Sequence, residues 1–135
     1  MNELKPSLRL ALLSIALLCF TGCGKKSPEL LSVSGKPIEF WLDALREGGT
    51  DSPQRIKAIK ALGNVGPAHP AAIPALIKAL DSPEIAVRVE AVLALLKNGP
   101  HAKEALPVLQ RMAQSDKEAN VRSYAEKAIA KISGS

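Results

Sequence analysis

The residue types that most often carry chemistry are few in this chain and do not form a recognisable set. His69 and His101 are far apart in the sequence, and no third ligand stands at a spacing typical of a metal site. The chain has no Ser–His–Asp arrangement, glycine-rich phosphate loop or close pair of carboxylates. We therefore predict a protein that is not an enzyme and holds no metal or cofactor.

Cys23 is the residue whose surroundings favour a covalent modification. Two basic residues precede an apolar run at 10–20, which leads to Thr21, Gly22 and Cys23. A basic start, a short apolar run and small residues are the parts of a secretory signal. The run is too short to span a bilayer as a helix.

This pattern resembles the lipobox of bacterial lipoproteins, in which the cysteine becomes the lipidated first residue. The resemblance implies a signal peptide over 1–22, a lipid on Cys23 and a tether over 23–36, whose composition is that of a flexible linker. It also implies a membrane-anchored lipoprotein of the bacterial cell envelope, on the periplasmic or cell-surface side. A cleaved signal without lipid and an uncleaved anchor with an unmodified cysteine are the alternatives.

The remainder of the chain is organised by a repeat. Arg55 and Arg88 each open the same pattern, in which two alanines and a leucine follow the arginine at identical spacings. Arg122 opens the pattern again, with isoleucine as the last member, but the interval from Arg88 to Arg122 is one residue longer than that from Arg55 to Arg88. Ser82 and Ser115 still match at the shorter interval, whereas Val87 and Val121 match at the longer one. The extra residue therefore falls between Ser115 and Val121, where a turn tolerates an insertion. A repeat of this length predicts a solenoid, whose units bury their apolar faces against one another.

The second unit carries a proline in its first helix, Pro74, an acidic turn residue, Asp81, and a Val-Arg pair at 87–88. This pattern resembles HEAT repeats, in particular the bacterial HEAT-like repeats also found in bilin lyases. The resemblance covers about residues 37–132, and we predict the repeat domain over 37–133. It implies an all-α fold, a short right-handed α-solenoid of about three helical hairpins. The third unit matches the pattern well, and the first unit lacks the proline and the valine.

Serine, proline and glycine set the predicted helix boundaries. Ser52 and Ser82 each precede a proline, as an N-cap does, and Ser115 opens a capping box. Gly66 and Gly99 are expected to end helices, because glycine readily adopts the conformation that terminates them. We predict first helices at 37–46, 69–80 and 102–113 and second helices at 53–64, 83–97 and 117–132.

Small and aliphatic side chains are predicted to fill the interior of the stack. Pro74 and Pro107 should bend the first helices, because each lies about one turn inside its helix. The residues expected to be buried are Ala58, Leu62, Leu76, Leu80, Val87, Ala91, Leu95, Leu109 and Ile129.

Two further features have alternative interpretations. The equivalent arginines form either an anion-binding ladder or ties to turn carboxylates such as Asp81 and Asp116, and the resemblance favours ties. Trp41, the one tryptophan, is either a binding anchor or a bulky lid over the open end of the stack. We favour the lid, because the terminal unit of a solenoid lacks a neighbour on one side.

Composition and charge restrict the function. The net charge is +5, and basic and acidic residues are interspersed, so we do not expect nucleic acid as a partner. We predict a monomeric, lipid-anchored envelope scaffold that binds a protein partner without catalysis. A bilin-lyase-like enzyme or enzyme subunit and a structural envelope protein with no dedicated partner are the alternatives.

The repeat register also predicts a partner-binding surface. The resemblance implies that second helices line the concave face of the stack. With the predicted core pointing inward, an apolar centre surrounded by lysines points outward, which favours an acidic protein segment as the partner. A solvated helix face is the alternative. The predicted partner-binding residues are Ile56, Lys57, Lys60, Val89, Leu93, Lys97, Tyr124, Lys127 and Lys131.

Overall fold

The computed structural model describes residues 32–46 and 51–134. Within these ranges the chain forms a small β-hairpin, six α-helices and two 3₁₀ segments, Gly66–Ala68 and Gly99–Ala105. The helices are α1 (Ile38–Arg46), α2 (Ser52–Val65), α3 (Ala72–Ala79), α4 (Ile85–Asn98), α5 (Leu106–Ser115) and α6 (Ala119–Ser133).

The helices form two layers. α2 packs against α4, and α4 packs against α6, so these three helices form one continuous layer, which we call the inner layer. α1, α3 and α5 pack onto it as an outer layer, in which α3 and α5 have little contact with one another. This architecture confirms the predicted all-α solenoid of helical hairpins.

The core agrees with the repeat register except at its end. Ile129 was expected to be buried and is half-buried instead. Leu62 and Leu95 hold the equivalent position and are fully buried because the next unit covers them, whereas no described helix follows α6. The predicted core residues that are buried are Ala58, Leu62, Leu76, Leu80, Val87, Ala91, Leu95 and Leu109.

The first helices of the second and third units begin later than predicted. α3 begins at Ala72 rather than at residue 69, and α5 begins at Leu106 rather than at 102. Pro74 and Pro107 therefore lie in the first turn, where the missing N–H breaks no helical hydrogen bond. The prediction that they bend a helix was wrong, and the 3₁₀ segment Gly99–Ala105 holds residues 102–105 of the expected third-unit helix.

Two predicted serine caps were also wrong. α4 begins at Ile85, and the side chain of Ser82 is buried, where its Oγ accepts hydrogen bonds from Arg55 and from the backbone N–H of Glu84. Ser115 is the last residue of α5, and its hydroxyl donates to a carbonyl oxygen one turn earlier. Each serine bonds to nearby backbone, Ser82 also receives Arg55, and the N-terminal capping positions are left to other residues.

Both predicted glycine ends are correct. Gly66 and Gly99 follow α2 and α4 with φ of 51° and 53°. A side chain on Gly66 would also collide with Oδ1 of Asn98. The predicted N-cap Ser52 was wrong as well, because the N-cap of α2 is Asp51 and Ser52 is already the first helical residue.

A β-hairpin precedes α1. Ser32–Val33 pairs with Lys36–Pro37 in an antiparallel arrangement, and the two residues between them, Ser34 and Gly35, have positive φ. These residues belong to the stretch expected to be a tether, so regular secondary structure is present within its described part. The predicted signal peptide at 1–22, Cys23 and the tether residues up to 31 lie outside the described residues.

Candidate partner-binding face

The predicted partner-binding residues lie on the outward side of the inner layer. Their lysines are exposed, and their apolar members are half-buried between them. The exposed residues are Lys57, Lys60, Lys97, Lys127 and Lys131, and the half-buried ones are Ile56, Val89, Leu93 and Tyr124.

A shallow groove runs between α2 and α4 on this face. The Nζ of Lys60 lies 3.6 Å from Oε1 of Glu90, and the Nζ of Lys97 donates a hydrogen bond of 2.5 Å to Oδ1 of Asn64. Leu93 lines the groove between these two contacts, and the volume of the groove is about 170 Å³. These pairs between helices show that the residues predicted on α2 and those predicted on α4 lie next to one another on this face.

Gly63 sets the distance between the two helices. An added Cβ at Gly63 would lie 2.9 Å from the Cβ of Ala94, which is closer than real side chains approach. The Nδ2 of Asn98 then donates to the carbonyl oxygens of Gly63, at 3.2 Å, and Ala94, at 2.7 Å. Sequence reasoning missed this tie. Its signal is that Asn98 is the polar member of a column otherwise formed by Val65 and Ile132.

The third inner-layer helix, α6, carries the rest of this face. The Nζ of Lys127 lies 5.5 Å from the centre of the Tyr124 ring, within range of a cation–π interaction. Within the part of the chain that the structure describes, Lys57 and Lys131 form no ion pair. Among the outward positions of these helices Glu90 is the one carboxylate, so the face as a whole is positively charged. Such a face attracts acidic partners and repels basic ones.

Arg88 connects the second and third units. Its Nε and Nη2 donate to the two carboxylate oxygens of Asp116, both at 3.0 Å, and its Nη1 donates to the carbonyl oxygens of Ser82 and Pro83. The side chains of Arg88 and Asp116 are only 13% and 8% exposed. A bidentate pair that is largely buried is a structural tie, as the resemblance implied.

Arg55 connects the first and second units through a different partner. Its Nη1 donates to Oε1 of Glu84 at 3.1 Å, and its Nη2 donates to Oγ of Ser82 at 3.2 Å. Asp81, which we expected to hold such an arginine, lies 3.4 Å from Arg111 instead, with a side chain that is 73% exposed. That prediction was wrong because Asp81 directly follows the outer helix α3 and faces solvent.

The structure also corrects the alignment of the turns. The side chain of Ser82 accepts a hydrogen bond from the backbone N–H of Glu84, and that of Asp116 accepts one from the backbone N–H of Glu118. Each side chain therefore caps the N–H that lies two residues later in the chain. Each also receives the arginine of the preceding unit. Ser82 and Asp116 are therefore equivalent, whereas the sequence alignment had matched Ser82 with Ser115, so the extra residue of the third unit already precedes Asp116.

Asp116 is held in its ionised form. Burial alone would raise its pKa, but hydrogen bonds from Arg88 and the backbone N–H of Glu118 and the charges of Arg88 and Arg122 hold the pKa below its usual value. The side chain of Arg122 folds back onto the turn that precedes α6, where its Nη1 donates to the carbonyl oxygens of Asp116, at 2.7 Å, and Lys117, at 3.3 Å.

Trp41 is buried at the other end of the stack. Its side chain belongs to the core, with an exposed fraction of 8%, and its Nε1 donates to the carbonyl oxygen of Val33 at 3.1 Å. The ring of Phe40 packs against it edge-on at 5.0 Å, and Nζ of Lys36 lies 3.8 Å from the centre of the Phe40 ring. Burial leaves little of the indole to contact a partner, which favours the lid interpretation.

The two histidines lie in different environments. His69 is half-buried, and its Nδ1 accepts a hydrogen bond from the backbone N–H of Ala71, whereas His101 is exposed. Across residues 32–46 and 51–134, no three His, Cys, Asp or Glu side chains are close enough together to hold a metal ion. None of the helices in these ranges has the length and apolar character needed to cross a membrane.

The fold and the register together define a short stack of helical hairpins with a basic inner face. The profile of the HEAT repeats matches residues 38–130, and the chain belongs to this family. No curated protein shows significant sequence similarity to the chain. HEAT repeats generally mediate protein–protein interactions, so an interaction surface is the function that this fold indicates.

Proposed function

We propose that this protein is a lipid-anchored, non-catalytic scaffold of the bacterial cell envelope that binds a protein partner through its inner layer. The observation that carries the proposal is the outward face of α2, α4 and α6, where five lysines surround half-buried apolar side chains. The family supports the same function, because HEAT repeats generally mediate protein–protein interactions.

The partner segment that suits this face is acidic. An apolar centre with a charged rim is the usual composition of a modest protein interface. Exposed lysines contribute little affinity individually, but a face of one sign speeds encounter with a partner of the opposite sign. We therefore expect the lysines to act mainly on the association rate, and Val89 and Leu93 to contribute the buried apolar contact.

The lipid anchor would hold this face close to a membrane. Eight residues separate Cys23 from Ser32, the first residue of the β-hairpin. An extended chain spans at most about 3.5 Å per residue, so the repeats would stay within roughly 30 Å of the anchored cysteine. Two acyl chains on Cys23 would suffice for stable anchoring, which a single chain does not provide.

Replacement of Cys23 by serine tests the anchor. Cys23→Ser should move the protein from the membrane fraction to the soluble fraction, or leave it as an uncleaved precursor, whereas Cys19→Ser should leave its distribution unchanged. Mass spectrometry of the N-terminal peptide measures the lipid directly. An N-terminal peptide of the wild-type protein that carries no lipid would contradict the anchoring proposal.

Charge reversal tests the face. Crosslinking in intact envelopes would first identify a partner, and its association with purified protein would then be measured at several salt concentrations. Lys60→Glu combined with Lys127→Glu should slow association about tenfold at low salt and remove most of the salt dependence.

The matched control reverses two cations on the outer layer, Lys78→Glu and Arg111→Glu, with the same change in net charge. Circular dichroism would check that both double variants remain folded. If the control slowed association and the inner-layer variant did not, the partner would bind the outer layer and the proposal would be wrong.

A further inference from the structure

The outward face of the inner layer has two chemically different ends along the helix axes. Because α2, α4 and α6 run in the same direction, equivalent positions form rows across the face. Ile56 and Val89 hold equivalent positions toward the helix N-termini and are half-buried. On α6 the equivalent residue is Ser123, and the half-buried Tyr124 follows it. We call Ile56, Val89 and Tyr124 the apolar end. Four lysines around Leu93 lie toward the helix C-termini, and we call them the basic end: Lys60, Lys97, Lys127 and Lys131.

The two ends differ in net charge. At the apolar end the outward charged residues are Lys57 and Glu90, which balance one another. At the basic end the outward residues other than lysine are Asn64 and Leu93, so nothing at these positions offsets the four positive charges. The carboxylate of Glu90 lies 3.6 Å from Lys60, on the border between the two ends. A partner carboxylate is therefore attracted more strongly to the basic end than to the apolar end.

We infer that this face binds a protein segment in one fixed orientation, with an aliphatic residue on the apolar end and carboxylates on the basic end. The inference rests on the proposed function and adds the order of the partner's side chains. Apolar contact with Ile56 and Val89 removes the aliphatic group from water. The carboxylates then meet lysines whose ammonium groups remain exposed.

The spacing of the two ends fixes the length of the segment. Val89 and Lys97 are eight residues apart on α4. At 1.5 Å per residue of helix this corresponds to about 12 Å. An extended segment covers that distance in about four residues, since a strand rises ~3.3 Å per residue. The partner segment thus carries its carboxylates about four residues away from its aliphatic anchor.

A spin-labelled peptide tests the orientation. The probe is a peptide of two leucines, one glycine and four glutamates, with a nitroxide at either the leucine end or the glutamate end. It is added at low salt to the full, isotope-labelled chain in a neutral detergent. The leucine-end label should broaden the amide signals of Val89 and Tyr124, and the glutamate-end label those of Lys97 and Lys131.

Two variants separate the ends energetically. Lys131→Glu should weaken binding of this peptide about threefold, which is within the usual range for one exposed ion pair. The same variant should weaken binding of a control peptide with serines in place of the leucines. Val89→Thr, which keeps the side-chain shape, should weaken binding of the leucine peptide alone. Lys78→Glu on the outer layer should change neither affinity.

Each of the other possible outcomes contradicts either the fixed orientation or the proposed face. If both labels broadened the same inner-layer signals to the same extent, binding would occur without a fixed orientation, and the inference would be wrong while the proposed face remained. If broadening fell on α1, α3 and α5, the proposed face would be wrong as well. Binding to phosphatidylglycerol vesicles but not to either peptide would assign the lysines to a membrane surface and overturn the inference.

Discussion

The middle and last inner-layer helices carry the same motif in different surroundings. Leu95 of α4 is fully buried, whereas the equivalent Ile129 of α6 is half-buried. Val92 of α4 is buried, whereas Glu126 replaces it in α6 and is exposed. The comparison shows that burial of a repeat position depends on the following unit, and that a polar residue stands where that cover is absent from the described structure.

The arginines of these two helices show the same contrast. Arg88 donates both to its own turn and to the carboxylate of Asp116 in the next unit. Arg122 makes the same bonds to its own turn, from Nη1 to two carbonyl oxygens. The bonds within a turn are therefore a property of the repeat, and the ion pair is a property of the interface between repeats.

Truncation of the equivalent aliphatic residues should give the largest difference. Leu95→Ala should lower the free energy of unfolding by about 2–5 kcal/mol, because it leaves a cavity in the core. Ile129→Ala should lower it by only about 1 kcal/mol, because part of this side chain already contacts water. Urea unfolding followed by circular dichroism measures both, and equal losses would show that the helix faces are assigned wrongly.

Removal of the equivalent arginines should give the next largest difference. Arg88→Ala should cost about 2–3 kcal/mol, because it leaves the buried carboxylate of Asp116 without its bidentate partner. Arg122→Ala should cost about 1 kcal/mol, the usual value of hydrogen bonds to carbonyl groups. A double-mutant cycle of Arg88→Ala with Asp116→Ala isolates the pair. A coupling energy near zero would mean that the ion pair does not tie the units together.

The sequence predicted those features that depend on the repeat alone. The repeat interval located the helices, and the shared alanines and leucines located most of the core, because every internal unit packs in the same way. Gly66 and Gly99 were found as helix ends because few other residues adopt their positive φ. The lysine columns followed from the same register, since outward positions are fixed once the inward ones are known.

Features that depend on contacts between units were not predictable in this way. Glu84 was missed as the partner of Arg55, and Asp81 was preferred, because residue type says which groups can pair and not which are near. Ser82 was matched with Ser115 by type, although Asp116 performs its role. Serine and aspartate both cap turns, so identical function at this position does not require an identical residue.

A pH titration should give the smallest difference between these regions. The pKa of Asp116 is held below its ordinary value in the folded protein. Its contribution to stability is therefore complete above the pKa of the unfolded chain, about 3.9, and is lost as the pH falls toward the lower folded pKa. Asp116→Asn should lower Tm at pH 7, and the difference from the wild-type protein should shrink as the pH falls below about 4.

Asp81→Asn is the matched control for this titration. Asp81 also lies near an arginine, but both side chains of that pair are more than half exposed, at 73% and 64%. Exposed pairs contribute little, so this variant should have nearly the same Tm as the wild-type protein across the titration. If Asp116→Asn behaved like Asp81→Asn, the carboxylate at the interface between repeats would stabilise the stack no more than one on its surface. The tie formed by Arg88 would then have to act through its bonds to the turn carbonyls alone.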